Sequence, residues 1–187
     1  MQKVDKQFLA ITIPNLLTIL RILLTPIFAI YLLNHQYKWA LWIFVTAGVT
    51  DGLDGLIARV FRQKSELGAY LDPIADKLLI STAFIILAAL RFIPSWLAVI
   101  VIARDVMILF GVALLSIANY TFKIEPTLCS KITTVAQLVT VLAVLMKPYI
   151  EIVLHVQAHL FIFTGVMTVL SGFQYIYRWL RIHQDMA

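Results

Sequence analysis

The chain has 187 residues, of which 61% are hydrophobic and only 13% charged, with 15 Lys and Arg against 10 Asp and Glu for a net charge of +5. A soluble fold carries roughly 25% charged residues and a disordered chain is poor in apolar ones, so both classes are excluded. A single cysteine, Cys129, rules out an internal disulfide framework and a cysteine-rich zinc site, and no basic run or basic aromatic patch is present to bind nucleic acid. The remaining class is an integral membrane protein.

In chain order, residues 1–13 read as a short amphipathic segment on the membrane surface. They are not a secretory signal, because no small-residue cleavage site follows and the next apolar run is long enough to span. About 20 apolar residues cross a bilayer as a helix, and six runs qualify: 14–33, 37–59, 72–90, 95–118, 129–147 and 157–178. The expected fold is all-α, a six-transmembrane-helix bundle forming one domain over 1–187. With the N-terminus inside, nine Lys and Arg fall on the inner side (Lys3, Lys6, Arg59, Arg62, Lys64, Lys123, Lys131, Arg178 and Arg181) and three on the outer (Lys38, Arg91 and Lys147). That asymmetry places both termini in the cytoplasm.

Five acidic residues lie within or at the ends of apolar runs: Asp51, Asp54, Asp72, Asp76 and Asp105. A carboxylate at helix centre costs roughly 2.5–3.5 kcal/mol, so each must face water, a cation or another polar group. Buried pairing with Arg21, Lys77 and Arg104 is the structural account; intramembrane charge more often marks function. Asp51 and Asp54 are i and i+3, Asp72 and Asp76 are i and i+4, and each pair shares a helical face. On two consecutive antiparallel helices the four carboxylates can meet. Their mutual repulsion is then relieved by protons or by hard divalent cations, two Mg²⁺ or Mn²⁺ being the usual clamp for displacement at phosphorus. Asp51 lies eight residues before Arg59, about 12 Å below the cytoplasmic surface at about 1.5 Å per residue. Such a site needs a cavity open to the cytoplasm, reached by a soluble phosphate compound from above and by lipid from the side.

The run Asp51-Gly-Leu-Asp54-Gly55-Leu-Ile-Ala58-Arg59, a gap of eight residues, and Gly68-Ala-Tyr-Leu-Asp72-Pro-Ile-Ala-Asp76 together resemble the signature of the CDP-alcohol phosphatidyltransferases, DxxDGxxAR followed by GxxxDxxxD. Pro14 to Arg21, Ile93 to Trp96, Arg104-Asp105 and Ser130 to Gln137 extend the resemblance over nearly the whole chain. It implies a six-helix membrane enzyme, commonly a homodimer, that uses CDP-diacylglycerol and releases CMP. Asp51, Asp54, Asp72 and Asp76 would be metal ligands and Asp76 also the general base; Asp54, Gly55, Ala58, Arg59 and Gly68 would form the CDP site.

The residue chemistry agrees with these roles. Gly55 and Ala58 let a nucleotide approach the backbone, although small residues also serve tight helix packing. Arg59 can fork onto a phosphate or anchor the inner end of its span. Asp72-Pro73 also reads as a helix N-cap and first turn. Arg104 and Lys131 are candidates to hold a phosphate on the acceptor. That suits glycerol-3-phosphate, as in phosphatidylglycerophosphate synthases, and equally phosphatidylglycerol, as in the cardiolipin synthases of the family. Arg104-Asp105 and the stretch Pro126 to Lys131 lean towards the cardiolipin branch; the commonness of the glycerol-3-phosphate enzyme among small bacterial members makes that acceptor the first expectation, in a bacterial inner membrane with the active site facing the cytoplasm. His155 and His159, Trp39, Trp42, Trp96 and Trp179 read as interface residues, and Cys129 as packing. A transporter, the rival class, would distribute its acids across the membrane depth, whereas here they cluster near one face.

Overall fold

An unpaired backbone amide in hydrocarbon costs several kcal/mol, so a membrane-spanning segment closes its hydrogen bonds within itself. The computed structural model describes residues 13–61, 66–117, 128–150 and 152–184, and among them are six helices and no strand. They are α1 (Ile13–Leu33), α2 (Tyr37–Phe61), α3 (Glu66–Ala89), α4 (Ser95–Ile117), α5 (Leu128–Met146) and α6 (Ile152–Gln184). Among the described residues three segments are long and apolar enough to cross a membrane: Leu16–Leu33, Leu128–Met146 and His155–Tyr177. The chain is an integral membrane protein with an all-helical fold. Residues 1–12, where the sequence suggests a surface segment, lie outside those described.

The helices outrun the apolar runs at several ends. α3 begins at Glu66, six residues before the expected start, so Asp72 and Pro73 lie inside the helix and Asp72 is not its cap. An apolar run marks where a helix meets hydrocarbon, while the helix itself begins in the watery margin. α6 is longer still, 33 residues or about 50 Å at about 1.5 Å per residue.

The chain divides into two compact units, Met1–Ile86 and Leu87–Ala187. In the first, α1 and α2 pack as a hairpin across a tight turn. Phe28 and Leu32 are buried with Ala40, Phe44 and Ala47, and the Phe28 and Phe44 rings lie 5.6 Å apart. Apolar burial drives little association in lipid, so this contact rests on close packing, which the two alanines permit. Leu16, Leu23 and Ile30 point outward, as lipid-facing residues do.

In the second unit α6 packs against both α4 and α5. The α5–α6 seam is polar: Thr133, Gln137 and Thr140 of α5 and Thr164, Thr168 and Ser171 of α6 are fully buried. The Thr140 and Thr164 hydroxyls meet at 2.8 Å, Thr133 Oγ1 donates to the Met167 carbonyl at 2.9 Å, and Gln137 Nε2 reaches Thr168 Oγ1 at 3.5 Å. Hydroxyl pairs of this kind join membrane helices where apolar contact cannot. On the α4 side Gly165 lets the Trp96 ring lie against the α6 backbone; a Cβ there would come within 2.7 Å of Trp96 Cζ3.

Two helices end in the same way. His35 and Arg91 adopt left-handed φ values of 58° and 60°. Around them Gln36 N donates to Tyr31 O and His35 N to Leu32 O, and Phe92 N donates to Leu87 O and Arg91 N to Ala88 O. This is the Schellman cap, whose left-handed position usually carries glycine.

Candidate active site

The two acidic motifs sit on consecutive helices of the first unit. Asp51, Asp54, Gly55, Ala58 and Arg59 lie in α2; Gly68, Asp72 and Asp76 lie in α3. The residue at 51 follows from helical register: Ala47 of the same face, one turn earlier, is buried against the hairpin. The side chains of Asp54, Gly55, Ala58, Arg59, Gly68 and Asp72 lie outside those described.

Asp51 is held from α1. Arg21 is fully buried, and its Nη1 lies 2.7 Å from Asp51 Oδ1, while the Asp51 side chain remains 44% exposed. One turn after Arg21, Thr25 Oγ1 donates back to the Arg21 carbonyl at 2.9 Å, just ahead of Pro26, which lacks an amide to donate. A guanidinium in a membrane helix must find an anion, and this one finds the first aspartate of the motif. Asp51 is therefore a carboxylate with one oxygen fixed by a buried cation and a face open to the surroundings. Asp76 is half-buried on α3, one residue beyond the fully buried Ala75.

Among the described side chains no three His, Cys, Asp or Glu groups converge on one point. The donor chemistry still fits a divalent cation, because Asp51 offers a hard carboxylate oxygen at a partly exposed position.

Arg104 and Asp105, in the second unit, are both buried. Arg104 Nη1 donates to Asp105 Oδ1 at 2.7 Å, and Nη2 donates to Ser130 Oγ at 2.7 Å and Ser171 Oγ at 2.9 Å. Its Cζ lies 5.9 Å from the Tyr175 ring centroid. Arg104 thus ties α4 to the start of α5 and to α6, and Lys131, which is exposed, follows directly after Ser130. Arg104 Nε has no hydrogen-bond partner among the described residues. Sequence reasoning named Arg104 and Lys131 but missed Ser171 and Tyr175. The available signal was their spacing, since 164, 168, 171 and 175 repeat every three or four residues along one face of α6.

The CDP-alcohol phosphatidyltransferase family model matches residues 11–170. The chain is 41% identical over 153 residues to a rat protein named cardiolipin synthase (CMP-forming), covering 73% of this chain and 51% of that one. It is 36% identical over 182 residues to the human protein of the same name, covering 88% and 60%. A Mycobacterium tuberculosis protein named probable phosphatidylglycerophosphate synthase is 35% identical over 177 residues, covering 89% and 81%. The chain therefore spans between about half and three fifths of the length of the two mammalian relatives.

Proposed function

The chain belongs to the CDP-alcohol phosphatidyltransferase family, and we propose that it transfers a phosphatidyl group from CDP-diacylglycerol to a glycerol hydroxyl with release of CMP. The observation that carries this is the eight-residue signature divided between α2 and α3, within the 11–170 match. The first acceptor is glycerol-3-phosphate, making the protein a phosphatidylglycerophosphate synthase. A second reading, phosphatidylglycerol as acceptor, is favoured by the names of its rat and human relatives and by the Arg104-Asp105 pair. Both acceptors present a hydroxyl beside a phosphate.

In this reading the whole chain is one domain of six spans, with residues 1–13 on the membrane surface, both termini in the cytoplasm and the site facing that side of a bacterial inner membrane. The molecule works as a homodimer. Asp54, Gly55, Ala58, Arg59 and Gly68 bind the CDP moiety, with Arg59 on its phosphates. Asp51, Asp54, Asp72 and Asp76 hold two divalent cations, Mg²⁺ or Mn²⁺, which when bound neutralise the pyrophosphate charge. Arg21 fixes the orientation of Asp51. The acceptor oxygen attacks the phosphorus that carries diacylglycerol; that P–O bond forms as the pyrophosphate P–O bond breaks, CMP leaves, and the hydroxyl proton passes to Asp76. Arg104 and Lys131 hold the acceptor phosphate. Lys131 is exposed, whereas Arg104 is already partly neutralised by Asp105, so an incoming phosphate competes for it.

The test is CMP release in detergent micelles containing CDP-diacylglycerol and Mg²⁺ or Mn²⁺, with each acceptor supplied separately. Release with glycerol-3-phosphate alone supports the first acceptor, and release with phosphatidylglycerol alone the second. A folded sample that binds CMP but turns over neither would refute both.

A further inference from the structure

Away from the signature residues, the second unit carries a cleft of about 390 Å³ between the end of α3, the start of α4 and the second turn of α6. Its lining combines polar residues, Arg91, Ser95 and Gln157, with apolar ones, Ile93, Pro94 and Phe161. Gln157 and Phe161 are one turn apart on the same face of α6, and Gln157 Nε2 donates to the Phe92 carbonyl at 3.2 Å, which ties α6 to the loop bearing Arg91. A second cation stands beside the cleft, with Lys147 Nζ 5.9 Å from the centroid of the lining residue Phe92. None of the described residues that line it carries a carboxylate.

Arg91 occupies the left-handed position of the α3 cap, with φ 60°, where a side chain costs backbone energy that glycine does not. A basic side chain also favours a helix C-terminus, and Arg91 is exposed and lines the cleft. Trp96, His155 and His159 are exposed near the same helix ends, as residues at a membrane–water boundary are.

We infer that this cleft is a binding site for one anionic phospholipid, its phosphodiester held by Arg91 with Lys147 beside it and its glycerol and first methylenes on Ile93 and Phe161. Two cations, with no carboxylate among the described lining residues, select for negative charge, and the apolar lining residues select an amphiphile over a free anion. The site rests on the membrane placement of the chain and not on the transfer reaction.

The test uses the full-length protein in detergent, with lipid retention read by native mass spectrometry. The probe is phosphatidylserine, which is anionic and is neither donor nor acceptor in the proposed reaction; phosphatidylcholine is the uncharged control. The wild type should retain phosphatidylserine in preference to phosphatidylcholine. Arg91→Gly should weaken that retention about fivefold, as should Lys147→Gln, while Arg91→Lys keeps it. Arg91→Gly relieves the cap, so its melting temperature should hold or rise and loss of lipid would not reflect unfolding. CMP release should be unchanged in Arg91→Gly. Equal retention of the two lipids by the wild type, or undiminished phosphatidylserine retention in both Arg91→Gly and Lys147→Gln, would overturn the site. Failure of CMP release with intact lipid selectivity would instead overturn the transfer reaction alone.

Discussion

Asp51 and Arg21 share one ion pair but not one environment: the guanidinium is fully buried and the carboxylate 44% exposed. Removing Asp51 takes an anion from a buried cation, whereas removing Arg21 takes a cation from a carboxylate that water still reaches. Breaking a fully buried pair from one side costs about 3–5 kcal/mol, and partial exposure lowers the figure for this pair. We expect Asp51→Asn, measured in chelator, to lower the melting temperature more than Arg21→Met, and the double variant to recover part of the loss. Additive effects in that cycle would show that the pair is not coupled. For Asp76 the expectation is chemical rather than structural. Asp76→Asn should reduce CMP release by roughly 10²–10⁴-fold while CMP binding persists; full activity would remove Asp76 from the role of base.

The polar seam between α5 and α6 and the glycine contact between α4 and α6 set how the second unit is assembled. Thr140→Val and Thr164→Val each remove one side of a buried 2.8 Å hydroxyl pair. Interhelical bonds of this kind are worth about 0.6 kcal/mol on average, so each change should produce a small loss of thermal stability. Gly165→Ala places a methyl within 2.7 Å of the Trp96 ring. Trp96 is 47% exposed and can swing outward, so we expect a loss of about 1 kcal/mol, abolished when Trp96→Leu is combined with it. A loss that persists in the Trp96→Leu background would place its cause elsewhere. Only part of this was legible beforehand. The apolar runs located α1, α2, α4 and α5 to within a residue or two at each end, because hydrophobic length is a local property. They misplaced the start of α3 by six residues, because Glu66 and Gly68 interrupt the apolar run without interrupting the helix.

For the molecule as a whole, the proposed topology is open to direct measurement. Cysteines introduced singly at Lys38 and Arg62, in a Cys129→Ser background, should react with a membrane-impermeant maleimide from opposite sides of sealed vesicles. Labelling of both from one side would refute the alternation of spans. What the linear chain determined is everything carried by spacing and composition: a membrane protein of helices, an eight-position signature over residues 51–76, and carboxylates repeated at helical intervals. These are legible because helical periodicity and apolar length act over a few neighbouring residues. The tertiary structure alone decided which charge meets which. Arg21 takes Asp51 thirty residues away, Arg104 bonds Ser130 and Ser171 as well as its neighbour Asp105, and the Phe92 carbonyl meets Gln157 across 65 positions of chain. Such partners are chosen by how whole helices pack, and a buried cation takes the anion or hydroxyl that packing brings within hydrogen-bond reach.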